Sequence, residues 1–306
     1  MASAKGQYSD ARGVESAIKD AAQRAHGADP SRQTGDLIRQ AHFDRFLCRV
    51  FSGGEDCEWV LKGGSGMLAR LVNARRTNDV DLFRDGFDKD QSITELRRLA
   101  AVDLGDFFTF TYRTHRPILA NDGQPSVEGY KVIFDAMLGQ KRLDPIRVDL
   151  TAHEARTTGI TMADPANRLA LPKMQAYPYR LYPLPNQVAD KVCATVEEHQ
   201  GRVSSRERDL VDLVIIALTQ RLDADDTVAA IRRELGKRRV AISEHLIIPA
   251  AWGVGYMRLA RGTPAKSHTT DDARALMAIF IDPLLAGTVG GTTWNPTTLA
   301  WERLEK

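Results

Sequence analysis

Leu61-Lys62-Gly63-Gly64-Ser65-Gly66, followed by Asn78-Asp79-Val80-Asp81-Leu82-Phe83, is the stretch from which the rest of the chain is read. Trp59-Val60-Leu61 reads as a short apolar strand, Gly63-Gly64 as a turn, Ser65 to about Arg75 as a helix and Asp79 to Phe83 as a second strand. Side chains alternate faces along a strand, so Asp79 and Asp81 point one way while Val80 and Leu82 point into a core. A later strand, Ile146-Arg147-Val148-Asp149-Leu150, repeats the aliphatic-Asp-aliphatic pattern and would bring Asp149 beside them if the strands are neighbours. Like charges about 5 Å apart repel by roughly 3 kcal/mol at an effective dielectric of about 20, which a fold tolerates best with a proton or cation between them. Mg²⁺ is the natural occupant: it takes oxygen ligands, commonly one or two carboxylates completed by water and substrate phosphates. Taken alone, Asp79 would end a turn after Thr77-Asn78 and Asp81 would sit on a solvated strand face. The glycine turn one helix upstream sets this pair apart, because glycines before a helix let backbone N–H groups approach a phosphate, with Ser65 adding a hydroxyl. The turn is neither a Walker loop, lacking the GK[ST] ending, nor a dinucleotide fingerprint, since GGSG does not complete GxGxxG.

Working outward, the 306 residues give a length expectation of about two domains, and 43% hydrophobic with 27% charged residues is an ordinary globular balance. No window approaches the roughly 18 consecutive apolar residues of a membrane span. The opening MASAKGQYSDARG has no apolar secretory stretch, and Cys48, Cys57 and Cys193 are too few and scattered for a disulfide framework or zinc cluster, so a cytoplasmic setting is expected. The formal charge of +2 means that any nucleic-acid partner must meet a local basic patch.

No internal repeat is visible, but three textures are. Residues 1–50 read as N-terminal helices, with Val14, Ile18, Ala21 and Ala22, then Phe43, Phe46, Leu47 and Val50 at helical spacing. Residues 51–160 read as an α/β-like core, with a helix near Ser92 to Val102 and strands at Phe107 to Tyr112, Lys131 to Ala136 and Ile146 to Leu150. Residues 161–306 read as a mostly helical C-terminal domain. After a link broken by Pro172, Pro178, Pro183 and Pro185, helices are expected from about Gln187, at Thr227 to Leu235, Pro249 to Arg261 and Asp271 to Phe280.

The order LKGGS, Arg75 or Arg76, then Asp79-Val80-Asp81-Leu82 and a later Asp149 resembles the minimal nucleotidyltransferase domain of the DNA polymerase β superfamily. More narrowly, LKGGS with NDVDLF resembles the AbiEii/AbiGii toxin family, which includes the mycobacterial MenT toxins. Asp190-Lys191-Val192-Cys193-Ala194 is similar to that family's EKhxA motif, with Asp190 where relatives often carry Glu. Arg206-Glu207-Arg208-Asp209-Leu210-Val211-Asp212-Leu213 is similar to its R.KDLyDL motif, with Arg208 where they often carry Lys. Four separated motifs in family order span about residues 55–220.

The resemblance implies an α+β fold, a nucleotidyltransferase core with a mixed sheet plus the helical C-terminal domain. It also implies the toxin of a toxin–antitoxin system, which transfers nucleotides from an NTP to the 3′ acceptor end of tRNA and so blocks aminoacylation and translation. Gly64 and Ser65 would hold the triphosphate together with Lys62, Arg76, Lys191 and Asp212. Asp79, Asp81 and Asp149 would bind Mg²⁺, or Mn²⁺ in its place, and Asp149 would help to activate the attacking hydroxyl. Lys191 and Asp209 would complete the catalytic set. The implied partners are an NTP, the tRNA acceptor stem and a cognate antitoxin protein, with no membrane, and the chain is expected to be a monomer.

Other residues carry readings of their own. Lys191 lies at the flank of an apolar helix face formed by Val188, Val192, Thr195 and Val196, where a cation would neutralise phosphate charge. Asp209 and Asp212 lie three apart on a helix whose Leu213 to Leu218 run is apolar all round, so they are expected buried and in need of partners. Those partners are either Arg202, Arg206 or Arg208, locking helices together, or Lys191, with Asp209 the favoured functional carboxylate. Lys62, Arg70, Arg75, Arg76, Arg97 and Arg98 would supply a basic surface for an RNA backbone, and Lys237-Arg238-Arg239 a second one or simply a helix end. His153, four residues after Asp149, is expected to be structural. Two other functions use the same residues: transfer to a protein or small-molecule hydroxyl, and a nucleotide-binding partner module without catalysis.

Overall fold

The computed structural model describes residues 8–119, 128–152, 156–196 and 206–303. It falls into two compact units, residues 1–72 with 76–182, and residues 73–75 with 183–306. The fold class is the expected α+β, a mixed sheet with helices followed by a mostly helical region. The division itself differs from three segments of 1–50, 51–160 and 161–306. Helices α1 (Ala11–Ala28) and α2 (Thr34–Val50) share the first unit's core, because Val14, Ile18, Phe43, Phe46 and Leu47 need the sheet to cover them.

The first unit is built on a sheet whose described strands are β1 (Trp59–Lys62), β2 (Val80–Arg84), β3 (Phe108–Pro117), β4 (Gly129–Leu138), β5 (Lys141–Arg142), β6 (Ile146–Thr151), β7 (Thr161–Ala163) and β8 (Tyr179–Leu181). Their order is β3-β4-β6-β2-β1-β8-β7, with β5 paired to β4. The β2–β6 and β1–β8 pairs are parallel, and the remaining pairs antiparallel. Leu61, Val80, Leu82, Val132, Phe134, Val148 and Leu150 face the core shared with α1, α2 and α4 (Lys89–Ala100). The alternate positions Val60 and Phe83 belong to a separate small cluster with Tyr182, which marks the sheet's second face.

Helix α3 spans Gly63–Arg70, two residues earlier than expected at its start and five shorter at its end. It opens on Gly63 at φ +57, a left-handed conformation that glycine adopts without a Cβ penalty. Strand β8 falls in the stretch that the prolines mark only as a link and β7 in the segment read as mostly helical, each three residues and too short to show alternation.

The second unit contains α5 (Leu184–Val196), α6 (Glu207–Thr219), α7 (Ala224–Arg238), α8 (Gly253–Ala260), α9 (Thr270–Phe280) and α10 (Asp282–Leu285). A small antiparallel sheet, β9 (Leu222–Asp223), β10 (Thr293–Asn295) and β11 (Ala300–Glu302), was not legible in its two- and three-residue strands. Helix α6 is the unit's buried axis, with Leu210 to Ala217 all inaccessible, and Trp294 donates its indole N–H to Ala217 O at 2.8 Å. The helix expected from Pro249 is instead a 3₁₀ turn, Ala250–Trp252, followed by α8. At Gly255 a Cβ would come within 2.8 Å of Glu207 Oε1, so that side chain rests against the bare backbone of α8.

Candidate active site

The second face of the first unit's sheet carries a row of charged residues fixed by strand register. Lys62 pairs with Asp81, Asp81 with Asp149, Asp149 with Lys131 and Lys131 with Arg116, each on the neighbouring strand. Directly paired residues project from the same face, so the two aspartates expected to be neighbours are neighbours. Asp79 lies immediately before β2, not within it. Burial, and then the nearby Asp149 carboxylate, hold the Asp79 carboxyl above its ordinary range against the pull of Lys131, Arg147 and Arg39.

Gly63 and Ser65 build the Asp81 position. A Cβ on Gly63 would lie 2.4 Å from Asp81 Oδ2, so the carboxylate occupies the space that the glycine leaves open. The Ser65 hydroxyl donates to Lys62 O and accepts from the Asp81 N–H, both at 3.0 Å. Ser65 is itself buried, so its oxygen ties α3 to β2 and its one hydroxyl proton is used within the protein. Gly64, buried beside it, contributes backbone.

Asp149 is engaged by a residue that sequence reading passed over. Lys131 Nζ lies 2.8 Å from Oδ1 and 2.9 Å from Oδ2 of Asp149. The only sequence trace of this contact is a Lys and an Asp on two expected strands, and pairing register cannot be read from either strand alone. Among the described residues, no group of three or more His, Cys, Asp and Glu side chains is placed to hold a metal ion. Asp81 is a hard oxygen donor beside the glycine turn, and Asp79 lies two residues before it along the chain; one or two such carboxylates with phosphate oxygens suit Mg²⁺.

In the second unit, Lys191 is buried on α5 and donates to Asp212 Oδ2 at 2.5 Å and Asp209 Oδ1 at 3.3 Å, both on α6. Arg206 donates to Asp209 Oδ2 at 3.2 Å, and Arg75 to Asp212 Oδ2 at 3.0 Å. Both expected kinds of partner, the lysine and an arginine, are therefore present. Burial alone would raise the Asp209 pKa, but Lys191, Arg206 and Arg208 outweigh it and hold it below its ordinary value.

The basic surface expected around α3 is largely engaged within the protein. Arg70 donates to Tyr182 O at 2.7 Å, Arg75 is held by Asp212, Arg76 pairs with Asp36 at 2.9 Å, Arg97 stacks over Tyr112, and Arg98 pairs with Glu95. Arg75 is thus a correction: it lies beyond the end of α3 and is mostly buried, where a surface position was expected. Arg76 is largely exposed, and Lys62 Nζ sits 5.8 Å from the Phe83 ring centroid. Arg238 bonds Glu234 at the end of α7, in keeping with the helix-end reading of Lys237-Arg238-Arg239. His153 and Arg202 lie outside the described residues.

The family model for the nucleotidyl transferase AbiEii toxin, type IV toxin–antitoxin system, matches residues 45–288, which include every expected site residue from Lys62 to Asp212. The chain belongs to the AbiEii nucleotidyltransferase toxin family. Among solved structures it is similar to MenT4, the nucleotidyltransferase toxin Rv2826c of Mycobacterium tuberculosis H37Rv, at 13% identity and TM-score 0.48, covering 87% of this chain and 97% of that one. It is similar to a putative nucleotidyltransferase of H. pylori at 13% identity and TM-score 0.37, covering 65% and 81% of the two chains. JHP933 of Helicobacter pylori matches at 14% identity and TM-score 0.38, over 78% and 97%. At identities and scores this low, membership of the AbiEii family rests on the family match alone. No curated protein gives a sequence match.

Proposed function

We propose that this AbiEii-family toxin transfers a nucleotide from an NTP to the 3′ acceptor end of tRNA, in the cytoplasm, with Mg²⁺ held by Asp79 and Asp81. The reading is supported by one observation: the Asp81 carboxylate rests in the space left by Gly63, at the first residue of α3. A turn that brings backbone N–H groups and a carboxylate to one place suits a metal-bound triphosphate.

When bound, the divalent ion would neutralise phosphate charge and accept the charge that develops on the leaving pyrophosphate. Ser65 fixes Asp81 through the Asp81 N–H, and Gly63 lets the carboxylate lie close to the backbone. The acceptor oxygen bonds to the α-phosphorus as the bond to pyrophosphate breaks, and the hydroxyl proton is released. In the second unit Asp209 and Asp212 hold the Lys191 ammonium in one place. Its proposed part in transfer, together with those of Gly64, Lys62 and Arg76, rests on the family resemblance. Transfer would disable the tRNA for aminoacylation, and a cognate antitoxin would restrain the monomeric enzyme. Among the described residues no helix is long and apolar enough to cross a membrane.

The test is induced expression of wild type and of Asp81→Ala, with growth and tRNA charging followed together. Arrest with uncharged tRNA in wild type alone is expected. Arrest by both proteins with charged tRNA would refute the reading.

A further inference from the structure

The charged row on the second sheet face has a pattern that the metal reading alone does not explain. From β1 to β3 it runs Lys62, Asp81, Asp149, Lys131, Arg116, two adjacent carboxylates with a cation on either side. Adjacent strands lie about 4.8 Å apart, so Asp81 and Asp149 would repel if both leaned toward the gap between them. Each is instead engaged on its outer side. Asp81 lies against Gly63, which follows Lys62 at the end of β1, and Asp149 gives both oxygens to Lys131 on β4. Asp149 is thus engaged from β4, the neighbour on the side away from β2, and among the described residues no group of three or more His, Cys, Asp and Glu side chains is placed to hold a metal ion.

We propose that Lys131 is a positioning residue that withholds Asp149 from the cation site, leaving Asp79 and Asp81 as a two-carboxylate site. Ligand charge and number tune divalent-ion affinity, so a site short of one carboxylate binds the bare ion weakly and gains from the oxygens of a bound triphosphate. Lys131 thereby favours the metal that arrives with its nucleotide over the metal alone. This rests on the proposed metal site, and the experiment separates the two.

Mn²⁺ alone is titrated into the full chain, with free Mn²⁺ read by electron paramagnetic resonance. Wild type and Asp81→Asn report on the metal site; Lys131→Met, Lys131→Arg, Asp149→Asn and the Lys131→Met/Asp149→Asn double variant report on the lysine. Freeing Asp149 adds a carboxylate near the ion, so Lys131→Met is expected to bind Mn²⁺ at least about tenfold tighter than wild type. Lys131→Arg and Asp149→Asn should stay within about twofold, and the double variant should return to the wild-type value. A merely structural lysine would not give that return. An Asp149→Asn loss as large as that of Asp81→Asn would overturn the proposal by making Asp149 a ligand, and so would an unchanged Lys131→Met. Wild type that binds no Mn²⁺, or Asp81→Asn that binds it as wild type does, would remove the metal site itself and this assignment with it.

Discussion

Replacing Gly63 by Ala perturbs the site through a single methyl group. At φ +57 an alanine costs about 1–2 kcal/mol in backbone strain, and its Cβ would lie 2.4 Å from Asp81 Oδ2 and 2.5 Å from Asp81 Cγ. Ordinary contact begins near 3.4 Å, so the carboxylate must retreat by about 1 Å. A displacement of that size in a positioned catalytic group costs on the order of a hundredfold in rate. Gly54 supplies the control: it has φ +60, and nothing lies within 4 Å of its added Cβ. Gly54→Ala should show the same strain, about 1–2 kcal/mol in urea unfolding, with transfer unchanged. Gly63→Ala should lose about as much stability or slightly more and about a hundredfold in transfer rate. The reasoning is refuted if both variants keep transfer within threefold of wild type, because the position of Asp81 would then not govern the reaction.

Two further predictions concern the unfolding equilibrium. Asp212→Asn should cost about 3–5 kcal/mol in urea, since it strips the buried Lys191 and Arg75 of their shared carboxylate. Lys191→Met should cost less, because Arg75 still pairs with Asp212 and Arg206 with Asp209; equal costs would contradict this account of the network. His42 is held down to about 4 by burial, so between pH 6.5 and about 4 it is mainly the unfolded chain that takes up its proton. Stability should fall from pH 6.5 to about pH 4 by at most about 3 kcal/mol on this account, and His42→Phe should flatten that limb. A limb of unchanged slope in the variant would refute the assignment.

Part of the carboxylate face was legible: a strand's period of two puts Asp81 opposite Val80 and Leu82, and the neighbouring Asp149 strand repeats the code, whereas Asp79 lies just before β2, outside that alternation. What the sequence could not show is what each polar group touches. The Ser65 hydroxyl looked available for phosphate, yet it bridges Lys62 and Asp81, the latter sixteen residues away. Arg75 read as a solvated residue because nothing local offered it a partner; that partner, Asp212, lies 137 positions along the chain. Lys131 carried no motif, and its importance appears only once β4 and β6 pair in register. By contrast, the pairing of Arg206 with Asp209 spans three residues on one helix start and was readable as local geometry.

The most direct test of the central claim is incubation of the protein with total tRNA, Mg²⁺ and each NTP in turn, labelled at the α- or the γ-phosphate, beside Asp81→Ala. Nucleotidyl transfer predicts α-label on the 3′ end of tRNA with wild type alone, and γ-label released in pyrophosphate with none on the RNA. α-label transferred to protein or to a small molecule instead of tRNA, or γ-label on RNA, would contradict it.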